Sequence, residues 1–132
     1  MRTFEHPAPQ RILVVEDNHE IRSAVVELLR DEGYAVEVAG NGKAALDIVG
    51  KQHLSAILLD LMLPVMDGWA FLSECRSNPR CRDIPIIVMS AAHNLELQVK
   101  RLKQQGVGAV IAKPFDVEAL LGVVQRFAPH AA

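Results

Sequence analysis

Residues Ala56–Gly68 read AILLDLMLPVMDG. The opening AILL is a short continuous apolar run, the form taken by a strand buried on both faces, and it stops at an acidic residue, Asp60. Asp67 then stands before Gly68 and a segment of helical length, where its side-chain oxygen suits it to cap a helix start. The same unit recurs on either side of this stretch. Ile12–Val15 (ILVV) is followed by Glu16 and Asp17, Ala35–Ala39 (AVEVA) by Asn41-Gly42, Ile84–Met89 (IPIIVM) by Ser90, and Ala109–Ala112 (AVIA) by Lys113.

Each apolar run is followed by a segment long enough for a helix. The first, about Asn18 to Glu32, sets Ile21, Ala24, Val25, Leu28 and Leu29 on one face, with Gly33 where a C-cap is expected. The others are expected after Asn41-Gly42, Asp67-Gly68, Asn94 and Asp116, with Gly106 ending the fourth. Strands alternating with helices and joined by right-handed crossovers imply a parallel sheet covered on both faces. The expected fold is α/β, a three-layer sandwich with a five-stranded parallel sheet of order 2-1-3-4-5 and five helices. Residues 1–10, with Pro7 and Pro9, read as a disordered leader, 11–128 as one domain and 129–132 as a tail.

The chain has 132 residues, half of them hydrophobic and 23% charged, which is enough for one packed core. A net charge of −2 with scattered lysines and arginines offers no footprint for direct nucleic-acid binding. The longest apolar stretch, Ile84–Ala92, is broken by Pro85 and Ser90 and is too short for a membrane span, and the N-terminus has no secretory h-region. A cytoplasmic location is expected. In that reducing compartment Cys75 and Cys81 are expected as packing and surface residues rather than a bridge, and no second Cys/His pair joins them in a metal site. The five histidines show no zinc-binding pairing.

In a sheet of this order the first and third strands are neighbours, so Glu16, Asp17 and Asp60 would share one crevice at the strand ends. Crowded carboxylates raise one another's pKa unless a cation neutralises them, and hard oxygen ligands select Mg²⁺ or Mn²⁺. Lys113 supplies a positive point charge and Ser90 a hydroxyl, groups that stabilise charge on phosphoryl oxygens. The nucleophile is a carboxylate or Ser90. No histidine at a strand end serves Ser90 as a base, whereas Asp60 needs none at neutral pH, so Asp60 is preferred. Taken singly, Asp67-Gly68 is a turn, Lys113 before a proline an exposed strand-end lysine, and Glu16-Asp17 a solvated loop. Their coincidence at strand ends carries the functional reading. Gly40-Asn41-Gly42-Lys43 lacks the spacing and the Ser/Thr of a phosphate loop.

The motifs VVEDN (Val14–Asn18), LLDLMLPVMDG (Leu58–Gly68), MSAA (Met89–Ala92) and KPF (Lys113–Phe115), in this order, resemble the receiver domain of bacterial response regulators, the phosphoacceptor modules of two-component signal transduction. The resemblance runs from about Arg11 to Phe127. It implies a flavodoxin-like, receiver-type fold and a phosphorylation-dependent signalling module rather than an enzyme, one that assists its own phosphorylation and dephosphorylation. Asp60 would accept a phosphoryl group from a sensor histidine kinase or a histidine phosphotransfer protein. Glu16, Asp17, Asp60 and the backbone carbonyl of Met62 would bind Mg²⁺, and Ser90 and Lys113 the phosphoryl oxygens. The Lys113–Pro114 bond is expected to be cis. A receiver cut from a hybrid kinase or a larger regulator would read the same. An aspartyl-nucleophile, Mg²⁺-dependent phosphatase of the haloacid dehalogenase type is the rival from another class, but it places a second Asp where Met62 stands. A flavodoxin-like cofactor binder is disfavoured by the acidic crevice, and a pseudo-receiver by the presence of every carboxylate and the lysine.

Departures from the pattern carry further expectations. The aromatic switch position of many receivers is Val110 here, so signalling must run through backbone movement or the loop at Ser90. Met62 and Ala92 offer no side-chain hydrogen bond to an attacking water, which predicts slow self-dephosphorylation. Val117, Leu120, Leu121 and Val124 are expected to face inward on the fifth helix. Leu97, Val110, Ala119 and Val123 would leave an apolar face for a downstream protein or a homodimer.

Overall fold

The computed structural model describes residues 9–91 and 95–130; of Leu95 and Glu96 only the backbone is described. The elements run β1 (Arg11–Val15), α1 (His19–Asp31), β2 (Ala35–Ala39), α2 (Gly42–Lys51), β3 (Ala56–Asp60), α3 (Gly68–Ser77), β4 (Ile86–Ser90), α4 (Leu95–Gln104), β5 (Ala109–Ala112) and α5 (Val117–Phe127). The strands form one parallel sheet of order β2-β1-β3-β4-β5. This is the expected three-layer architecture. Pairing in β4 begins at Ile86 rather than Ile84, since Pro85 has no N–H and contributes only a carbonyl, to Ile57 N–H at 2.9 Å.

Side chains alternate across the sheet, so each strand feeds two cores. Leu13, Val15, Ile57, Leu59, Ile86 and Val88 pack against α2, α3 and α4, where Phe71, Leu72 and Leu102 are fully buried. Ile12, Val14, Leu58, Ile87 and Met89 pack against α1 and α5, through Val25, Leu29, Leu120 and Val124. Every residue of β3 and β4 is buried, as their unbroken apolar runs require.

Caps start the helices at Asn18, Asn41, Asp67 and Asp116, whose side chains accept from Ile21, Ala44, Ala70 and Glu118 N–H respectively. Asn94 lies outside the described residues. Gly33 (φ +92°) and Gly106 (φ +80°) follow α1 and α4 in the left-handed conformation that ends a helix.

Three expectations are corrected. Cys75 and Cys81 form a disulfide, with Cα atoms 5.0 Å apart: the turn after α3 folds back and brings together two fully buried sulfurs. Val117, expected inward, is 42% exposed because it stands in the first turn of α5, beyond the sheet edge covered by Leu120 and Val124. On α1, Ala24 is exposed and Val26 joins the core, so the buried stripe is rotated from the expected one.

At the amino ends of the strands, Gln10 donates to the Pro129 carbonyl at 3.0 Å and accepts from Ser55 Oγ. The Tyr34 hydroxyl donates to the Ala128 carbonyl at 2.7 Å, and its ring stacks on His130 with centroids 4.4 Å apart. Among the described residues, no helix is long and apolar enough to cross a membrane.

Candidate functional site at the carboxyl ends of the strands

Glu16 and Asp17 follow β1, Asp60 and Ser90 are the last residues of β3 and β4, and Lys113 follows β5. Strand pairing brings them together. Glu16 N–H donates to the Ala39 carbonyl at 3.0 Å, and Lys113 N–H to the Ser90 carbonyl at 2.9 Å, so each is held by an extension of the ladder beyond its strand. The Lys113–Pro114 bond is cis. Glu16, Asp60 and Ser90 are buried, while Asp17 is exposed at the mouth.

One oxygen from each of Glu16, Asp17 and Asp60 falls within 4.8 Å of the others. Lys113 Nζ donates to Glu16 Oε1 and lies 3.4 Å from Asp60 Oδ2. Glu16 Oε2 is buried with no hydrogen-bond partner among the described residues. Burial, aided by the neighbouring Asp60 and opposed in part by Lys113, pushes the Glu16 carboxyl up to about 7. Three hard oxygen donors, one of them orphaned and buried, fit a divalent cation. Met62 N–H donates to Asp60 Oδ1 at 3.2 Å, and the Met62 side chain is 75% exposed.

Asp67 and Gly68 serve structure. Asp67 caps α3, Gly68 N–H donates to the Leu61 carbonyl at 3.0 Å, and a Cβ on Gly68 would stand 2.6 Å from the Asp60 carbonyl oxygen. The absence of a side chain there lets α3 start directly against the backbone of Asp60.

The model of the response regulator receiver domain matches residues 12–125. Sporulation initiation phosphotransferase F of Bacillus subtilis is 35% identical over 120 residues, covering 91% of this chain and 94% of the relative. Response regulator MprA of Mycolicibacterium vanbaalenii is 36% identical over 113 residues, 86% of this chain and 48% of its own length. The chain thus spans nearly all of one relative and about half of the other. Among solved structures, the receiver domain of sensor histidine kinase PA1611 from Pseudomonas aeruginosa, with a magnesium ion coordinated in its active site cleft, is 35% identical with a TM-score of 0.81, covering 93% of this chain and all of that one. Chemotaxis protein CheY4 of Vibrio cholerae is 32% identical with a TM-score of 0.83, covering 91% and 99%.

The chain belongs to the response regulator receiver domain family. Such domains are regulatory phosphoacceptors that interact with histidine kinases and phosphotransfer proteins, and phosphorylation-dependent signalling is general among them. The phosphatase and cofactor-binder readings fall with that membership.

The other residues singled out in the sequence of this receiver domain are more scattered. Leu97 is 69% exposed and Ala119 is exposed, but Val110 and Val123 are half-buried, packed against the cores on opposite sides of the sheet. Ala92 lies outside the described residues.

Two features escape sequence reasoning. Arg22, half-buried on α1, donates from Nη1 to the Glu16 carbonyl at 3.1 Å and so fixes the acidic turn from above. A side chain that bonds to a backbone carbonyl leaves no pairing pattern in a sequence; only its place one turn into α1 hints at it. Beside the site, Ile21 and Ala24 of α1 face Ala91, Pro114 and Phe115 across an open, mainly apolar groove that reaches Lys113.

Proposed function

We propose that Asp60 is the phosphoacceptor of this receiver domain and takes its phosphoryl group from a histidine on a sensor histidine kinase or a histidine phosphotransfer protein. The observation that carries the reading is the position of Asp60, buried at a strand end, 3.4 Å from the Lys113 ammonium and within a three-carboxylate cluster. Glu16, Asp17, Asp60 and the Met62 carbonyl would hold Mg²⁺, with Mn²⁺ as a substitute of the same ligand preference. The bound cation would supply Lewis-acid neutralisation of the carboxylates and the incoming phosphoryl oxygens.

The chain's own residues do the rest. The Asp60 carboxylate, oriented by Met62 N–H, attacks phosphorus as the phosphorus–nitrogen bond of the donor histidine breaks. Lys113 and Ser90 take up the equatorial oxygens, where transition-state charge is spread. The groove lined by Ile21, Ala24, Pro114 and Phe115 favours a protein donor over a small phosphate, since apolar side chains at the mouth of a charged site are suited to a protein surface.

Phosphorylation then adds about −1.5 to −2 charge beside Lys113 and biases the loops that carry Ser90 and Lys113. The output face we propose comprises Leu97, Val110, Ala119 and Val123, with Leu97 and Ala119 giving the exposed area, for a downstream protein or a second copy. Met62 cannot position a water for hydrolysis, so self-dephosphorylation is slow. A cytoplasmic site of action goes with this chemistry.

The test is intact mass after incubation with Mg²⁺ and acetyl phosphate, beside Asp60→Asn. A gain of one phosphoryl group that requires Mg²⁺ and vanishes in the variant is expected. No gain in the folded wild type, from acetyl phosphate or from a phosphorylated histidine phosphotransfer protein, would overturn the reading.

A further inference from the structure

At the far end of the molecule from Asp60, the residue after Cys75 joins two elements. Arg76 donates from Nη1 to the Arg82 carbonyl at 2.9 Å and from Nε to the Gln105 carbonyl. Arg82 follows the second cysteine of the Cys75–Cys81 bridge, and Gln105 follows α4. One guanidinium therefore ties the loop closed by the disulfide to the C-terminal turn of α4, where the helix dipole favours a cation. Gly106 shuts the contact, since a Cβ there would lie 3.3 Å from Arg76 Cζ. Arg76 Nη2 is buried with no hydrogen-bond partner among the described residues, so its hold rests on the two carbonyls.

Two further contacts share this seam. Leu102 of α4 is fully buried in the same cluster as both cysteines. The Arg101 guanidinium of α4 lies over the Trp69 ring of α3, 5.0 Å from its centroid.

The geometry points to a thiol–disulfide switch in which the Cys75–Cys81 bridge sets how firmly α4 is held against α3. A dithiol attacks one sulfur as its thiolate and forms a mixed disulfide. Its second sulfur then displaces the protein thiol; two electrons and two protons pass to the cysteines, and the reductant leaves as its own cyclic disulfide. Because both sulfurs are fully buried, this exchange proceeds through opening of the loop at residues 78–84. Without the covalent closure, the turn relies on bonds such as Cys81 N–H to the Asn78 carbonyl, and the Arg82 carbonyl is no longer pinned for Arg76. The end of α4 loosens, and with it the helix that presents Leu97. None of these steps depends on phosphorylation of Asp60.

Hydrogen exchange of the whole protein tests the switch, comparing samples equilibrated with oxidised glutathione and with dithiothreitol, with free thiols counted under denaturing conditions. The oxidised sample should have no free thiol and the reduced sample both cysteines free. On reduction, residues 76–84 and 101–107 should exchange about tenfold faster while β1 and β3 keep their protection. Arg76→Met should loosen 101–107 with the bridge intact. Free thiols in the oxidised sample, unchanged exchange at 101–107 on reduction or in Arg76→Met, or loss of protection across the whole sheet would each overturn the proposal.

Discussion

At the carboxyl ends of the strands, three acidic side chains cluster, two of them against one lysine, and a buried carboxylate oxygen has no hydrogen-bond partner among the described residues. At the amino ends, the Tyr34 hydroxyl meets the Ala128 carbonyl, Gln10 bridges Ser55 and Pro129, and a disulfide closes the turn before β4. The same five strands run through both ends, so the backbone does not account for the difference. One end ties its hydroxyl and amide side chains to partners within the fold and gathers no cluster of like charges. The other keeps charge in tension that an added ligand can relieve, which is costly in stability and useful for binding. Substitutions at the two ends should therefore fail in different ways.

The largest effect is expected at Gly68, where the active end meets the core. Gly68→Ala places a Cβ 2.6 Å from the backbone of Asp60 and Leu61, atoms that cannot step aside. Denaturant unfolding should show a loss of about 3 kcal/mol, with phosphoryl uptake reduced because Asp60 itself is displaced. Wild-type stability in Gly68→Ala would break the view that α3 is seated directly on the backbone of Asp60.

At the other end, Tyr34→Phe leaves the buried Ala128 carbonyl without its 2.7 Å donor. A cost of about 1–2 kcal/mol in denaturant unfolding is expected, with Mg²⁺ affinity unchanged. Altered metal binding in Tyr34→Phe would show that the two ends are coupled rather than separate.

The smallest effect is a pH dependence confined to the acidic end. Burial raises the Glu16 carboxyl from its ordinary 4.5 to about 7. A carboxyl whose folded pKa is raised contributes stability that is full below the unfolded value and is lost as pH rises through about 7. The metal-free melting temperature should thus fall by a few degrees between about pH 6 and 8, and Mg²⁺ should raise it more at the higher pH. Thermal melts with and without Mg²⁺ check this; equal Mg²⁺ effects at both values would remove Glu16 from the ligand set.

The fold was legible because a buried parallel strand leaves an unbroken apolar run and a capped helix leaves its Asn or Asp, as at Ala56–Asp60 and Asp67. The candidate site was legible for the same reason, since polar residues at the ends of such runs must converge. What escaped depends on contacts with no local pattern. The disulfide was not legible because a reducing compartment says nothing of proximity, which is decided by how the turn at Asn78 folds back. Arg22 and Arg76 bond to carbonyls, which every residue has. The half-burial of Val110 and Val123 was not legible because helical and strand spacing say which way a side chain points, not how closely the next layer approaches it.

One residue in the loop between β3 and α3 has a bearing on how this chain could change over time. Val65 is 81% exposed and held at φ +65°, a left-handed conformation that a β-branched side chain enters at a cost of about 1–3 kcal/mol. A random replacement usually makes a protein worse; at this position asparagine or glycine relaxes the chain. The turn that follows Asp60 is thus a reserve of tolerance, and a lineage that relieved it could absorb a damaging change elsewhere and still fold.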